Sequence, residues 1–302
     1  MSLSTQQSDP VLPEACWQAR RAAHEARVSA WTEPHRVRSL TGEKHPVYDF
    51  LFEYYHFRPG QLRRWHPGLG SALAGDSALE YLEQPGYRRV EGGIAADPGW
   101  LKPGRREAAG WILNLLRASR ERPPFFGCFG LHEWAMVYRL SAREVRHAAW
   151  PLRLDGEALA AVVESQPVRC SHFDAFRFFT DAARPLNRLQ PTKSAMPLLE
   201  QRGCLHTNMD LYKWAFKLTP FTPSELVADA FALAREIRET DMRASPYDLR
   251  ALGFDPIRVE TPEGRAEYER HQRRFAERGA PIRDRLIAVC ERLIESLALK
   301  PA

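Results

Sequence analysis

At 302 residues, with 44% hydrophobic and 11% aromatic content, the chain carries enough apolar material for a large core and falls outside the disordered class. Its 43 basic and 38 acidic residues leave a formal charge of only +5, a weak bias toward polyanionic partners. No apolar run approaches the ~20 residues that span a bilayer. The five cysteines, Cys16, Cys128, Cys170, Cys204 and Cys290, contain no CxxC pair, so neither a zinc knuckle nor a disulfide framework is indicated.

The first residues lack the apolar core of a signal peptide, so a cytoplasmic protein with a loose tail over residues 1–12 is expected. A single, mainly helical catalytic domain with a small β or irregular insertion then fills residues 13–302. Pro13 to Trp31 reads as an amphipathic helix ended by a turn at Thr32-Glu33-Pro34. Val47 to Phe57, nearly all aromatic, reads as a buried helix, with Gln61 to Gly68 at its exit. Gly68 to Pro103 is the irregular part, where Tyr81-Leu82-Glu83 and Tyr87 to Val90 would pair as a hairpin around Pro85-Gly86. Helices follow at about Arg105 to Arg120 and Gly156 to Ser165, with Trp150 to Leu154 extended between them.

Thr222-Pro223-Ser224-Glu225 is a capping-box pattern opening a helix to about Asp241, with Leu226, Ala230, Leu233 and Ile237 as its buried stripe. A helix from Thr261-Pro262-Glu263 should stop near Gly279, and Pro281 should open the last one. Gln190 to Lys193 and Asp241 to Asp248 read as polar loops or lids.

Three segments carry most of the chemistry. Cys170 to Phe179 packs His172, Asp174 and Arg177 among four phenylalanines. Phe129 to Arg139 and Cys204 to Trp214 have the same texture. Burying such groups is costly unless they pair or serve a ligand, so the three segments are expected to converge on one pocket. No Gly-rich phosphate loop, HExxH or nucleophile elbow is present.

The His172-x-Asp174 pair suggests iron or zinc. On an extended segment the two side chains face one way, and His206 or His132 would complete a two-histidine, one-carboxylate set. A nucleobase pocket uses the same residues differently. Trp134, Tyr138, Phe176 and Trp214 would supply faces, Asn208 and His206 polar edge contacts, and Asp174 or Asp210 the carboxylate. An ionised Asp beside the sugar stabilises the positive charge that develops as an N-glycosidic bond breaks, and His172 would hold or relay for it. Each residue also has a plain structural role open to it, such as Asp210 pairing with Lys213 or Arg177.

The stretches His45 to Phe52, Gln61 to Gly68, Gly130 to Trp134, Cys170 to Phe179 and Cys204 to Trp214 resemble a bacterial family commonly labelled 3-methyladenine DNA glycosylases. The resemblance runs from about His45 to the last helix. It implies a DNA partner, base flipping and hydrolysis of the N-glycosidic bond, on a scaffold other than the helix-hairpin-helix or HEAT-repeat type. It transfers no catalytic residue.

The resulting expectation is a DNA repair glycosylase that needs no cofactor, no membrane and no obligate protein partner. Asp174 is its first carboxylate, Asp210 its second and His172 their partner. Arg63 and Arg64 would touch phosphate, and Trp65 would wedge. The alternative is an iron or zinc enzyme using His172, Asp174 and His206 on a small molecule. A third is a protein that binds a modified base without reaction.

Overall fold

A computed structural model describes residues 10–141, 144–145 and 149–298. Residues 1–9 of the expected tail lie outside the described residues, while Val11–Leu12 form a strand and are not loose. The architecture is mainly α. In chain order the helices are α1 (Glu14–Thr41), α2 (Phe50–Tyr55), α3 (Pro59–Arg63), α4 (Pro103–Glu121), α5 (Leu131–Ala135) and α6 (Gly156–Ser165). They continue as α7 (Phe173–Phe176), α8 (Met196–Leu199), α9 (Leu205–Lys217), α10 (Ser224–Ala244) and α11 (Pro262–Ala298). No described helix is long and apolar enough to cross a membrane.

Helix α9 packs on α10 and α11, and α4 packs on α11 as well. Leu226, Ala230, Leu233 and Ile237 are buried along α10 as the sequence predicts. The capping box does not form. Pro223 is the N-cap, Ser224 instead bridges to the chain at Arg64 and His66, and Glu225 accepts from Trp65 Nε1 at 3.0 Å.

Two prolines fail to end helices. α1 runs through Pro34 to Thr41 and stops at Gly42, whose φ of 73° is the left-handed cap that glycine supplies cheaply. α11 runs through Gly279 and Pro281 as one helix. A Cβ on Gly279 would lie 2.4 Å from Asn208 Oδ1, so packing of α11 against α9 holds this stretch helical and overrides its breakers.

The β insertion is a sheet of β1 (Val11–Leu12), β2 (Ala72–Leu73), β3 (Tyr87–Val90) and β4 (Gly93–Ala96), in the order β1-β2-β4-β3. β1 and β2 are parallel; the other pairs are antiparallel. The predicted hairpin is displaced by one element. Asp76–Glu83 is a 3-10 helix, and Tyr87–Val90 pairs with Gly93–Ala96 instead. The sheet encloses a small core of Trp17, Trp65, Leu73, Ala78, Tyr81 and Ile94.

Candidate active site

The three polar-aromatic segments meet at one cavity of about 390 Å³, lined by Glu133, Asp174, Arg177, Phe178, His206, Arg238 and Tyr247, with Phe50, Glu53, Tyr54 and His56 from the α2 region. Helix periodicity explains how α9 serves it. His206, Asp210 and Lys213, at i, i+4 and i+7, share one face of that helix. Asn208 points to the other side, where its amide oxygen accepts from Arg283 at 2.7 Å.

One side of the cavity is a wall of paired charges. Lys213 Nζ lies 2.8 Å from Asp174 and 3.0 Å from Asp210. Tyr55 donates to Asp210 at 2.6 Å, and His172 Nε2 lies 3.3 Å from it. Arg177 reaches the other oxygen of Asp174 at 3.3 Å. Burial alone would raise the Asp210 carboxyl, but Lys213, His172 and Tyr55 hold it well below the usual range. Burial would likewise lower Lys213, yet Asp210 and Asp174 keep it above its ordinary value and therefore charged. Behind His172, burial pushes the Glu200 carboxyl up to about 7.

The floor is different. His132 and Glu133 come from α5, His206 from the first turn of α9, and Arg238 and Asp241 from the last turns of α10. Arg238 lies 2.9 Å from Glu133 and 3.4 Å from Asp241. His132 Nε2 and Asp241 Oδ1 form a buried ion pair at 3.0 Å that falls short of hydrogen-bond geometry, and neither atom has another hydrogen-bond partner. His206 Nε2 is 3.9 Å from the other oxygen of Asp241. Burial and the neighbouring His132 hold His206 well below its ordinary value, hence neutral. His132, His206 and Asp241 offer ligand atoms that all lie within 4.8 Å of one another. A water-sized space of about 10 Å³ adjoins both imidazoles.

Asp174 and His206 line the cavity, with His172 and Asp210 directly behind it. Several expected residues do not. Trp134 is fully buried, its Nε1 donating to the Ala244 carbonyl at 2.9 Å, so it is core and not a stacking face. Tyr138 donates to Glu164, Phe176 packs on Phe179, and Trp214 stands edge-on to Trp111. Asn208 clamps α9 to α11 and reads no ligand edge. Trp65 is buried, stacked on Trp17, and therefore is no wedge. Arg63 and Arg64 are exposed, with Glu33 3.8 Å from Arg63.

The triad of His172, Asp174 and His206 is also not assembled. His172 caps α7 through its Nδ1, and Asp174 lies inside that helix, where i and i+2 diverge by about 200°. The histidine proposed as its distal ligand, His206, is instead grouped with His132 and Asp241.

Sequence reasoning missed Phe50, Tyr54, Glu133, Phe178, Arg238, Asp241 and Tyr247. A signal existed for two of them. Arg238-x-x-Asp241 puts opposite charges on one face of a helix, in line with the buried Ala234 and Ile237. No known protein family, curated protein or solved structure matches the chain.

Proposed function

We propose that the cavity is the active site of a DNA glycosylase that removes a modified base by hydrolysis. The observation that carries this reading is the position of Asp174 on the wall of a cavity of about 390 Å³ flanked by Phe50, Tyr54 and Phe178. That space suits a flipped base, and flat rings suit its faces. The stacking role passes from Trp134 and Trp214 to these three rings.

As the bond from C1′ to the base breaks, electrons leave with the base and positive charge grows on the sugar. Asp174, paired with Lys213 and Arg177, is an anion already placed to stabilise that charge and to orient the incoming water. Lys213 stays protonated between two carboxylates and is no amine nucleophile, so water is the acceptor. Arg177, 46% exposed in its side chain beside the cavity, is the phosphate contact.

The test is release of free base from alkylated and otherwise modified duplexes, scored as abasic sites. Release is expected from the wild-type protein and lost in Asp174→Asn with an unchanged circular dichroism spectrum. Affinity for DNA without release in any duplex would instead make the protein a binder. A second reading, a metal-dependent enzyme acting on a small molecule in the same cavity, is favoured by the grouping of His132, His206 and Asp241.

A further inference from the structure

We propose that His132, His206 and Asp241 bind one divalent first-row transition-metal ion. The site goes beyond the base-excision reading and does not rest on it.

The alternative is a purely structural ion pair between His132 and Asp241. That ion pair is present at 3.0 Å, but it falls short of hydrogen-bond geometry and neither atom has another hydrogen-bond partner. Leaving a buried polar atom without a hydrogen bond is costly, and a carboxylate oxygen costs more. A cation that both lone pairs can reach removes that cost on both sides at once. His206, within the same 4.8 Å group, supplies the third donor.

The donor chemistry points to one class of ion. Two imidazoles and a carboxylate suit zinc, iron(II) or manganese(II) better than calcium or magnesium, which prefer all-oxygen sites. Three protein donors leave positions for water or substrate, as in catalytic rather than structural sites. His206 lines both the large cavity and the water-sized space, so the group is adjacent to where a substrate enters.

The surroundings support the donors. Arg238 holds the second oxygen of Asp241 and is itself held by Glu133, which leaves the first oxygen for the ion. The turn that delivers His132 is strained. Phe129 sits at φ 46°, a left-handed conformation uncommon for a bulky side chain. Backbone strain of this kind persists where surrounding structure enforces it, commonly at functional sites.

The experiment is elemental analysis of the full chain purified without chelator, followed by titration of the chelator-stripped protein with Co(II) and Zn(II). One equivalent of zinc, iron or manganese, or uptake of one equivalent of Co(II) with visible ligand-field absorption, is expected. His206→Ala and Asp241→Asn should lose it, and Glu133→Gln should weaken binding by about 10- to 100-fold while keeping the donors. Asp174→Asn should bind as the wild type does. Should His206→Ala fail to fold, Glu133→Gln carries the test.

Absence of any ion together with no uptake of Co(II) or Zn(II), or undiminished uptake in the folded donor variants, overturns the site. Binding with no base release from any duplex would leave the site standing and remove only the glycosylase reading.

Discussion

The wall and the floor of the cavity bury charge in opposite ways. In the wall, Asp174, Asp210, Lys213 and His172 satisfy one another through contacts of 2.8 to 3.3 Å, and Tyr55 completes the set. In the floor, Arg238 pairs with Glu133 and Asp241, yet His132 Nε2 and Asp241 Oδ1 keep no hydrogen-bond partner. A satisfied buried network is a fixed electrostatic field, whereas an unsatisfied one calls for a ligand. The wall therefore suits stabilisation of developing charge, and the floor suits a cation.

The largest effect should come from the wall. Asp174→Asn removes the carboxylate but leaves Lys213 bonded to Asp210, so the fold should persist while single-turnover base release falls by about 10²- to 10⁴-fold. An equally active variant would move the chemistry off the wall.

The floor is next. Arg238→Met leaves Glu133 and Asp241 without their cation, and urea unfolding of the metal-free protein should show a loss of about 3–5 kcal/mol. Added Zn(II) should recover part of that loss, because a ligand that binds only the folded state stabilises it. A loss under about 1 kcal/mol would mean that the floor carries little charge strain.

Glu200 sharpens the comparison through pH. Burial pushes its carboxyl up to about 7 from an ordinary 4.5. The folded protein therefore holds a proton that the unfolded chain has released. This contribution is fully present below the unfolded value and is lost as pH rises through the folded one. Urea midpoints should fall between about pH 5 and pH 8, and Glu200→Gln should flatten that slope. A parallel slope in the variant would assign the dependence elsewhere.

The smallest effect should lie far from both regions. Trp65→Phe loses the bond to Glu225 and should cost about 1 kcal/mol of stability with DNA affinity unchanged, since the ring is enclosed by Trp17 and Tyr81.

Much of the helical fold was legible because its signals are local. The stripe of α10 and the span of α6 follow from periodicity alone. Breakers misled where packing decided otherwise. Pro34 and Pro281 sit inside helices held by their neighbours, and the capping-box glutamate is taken by Trp65 and Arg20.

At the site, the three segments could be recognised by polar residues among aromatics, and they do meet. Which aromatic faces the cavity could not be read, because tertiary packing decides it: Trp134 is fully buried with its Nε1 on the Ala244 carbonyl, whereas Tyr54 lines the cavity. Asp241 lies 109 residues from His132 in sequence and was hidden by reading it as the start of a loop, when it closes the last turns of α10. The HxD pair failed for a simpler reason: a one-turn helix replaced the extended segment that the pairing requires.

The most direct test of the cavity as a base-excising active site is base release by the wild-type protein across a panel of modified duplexes, counted as abasic sites. The account predicts release from at least one alkylated duplex, competed by the corresponding free base. No release from any duplex, by protein shown to be folded, would contradict it.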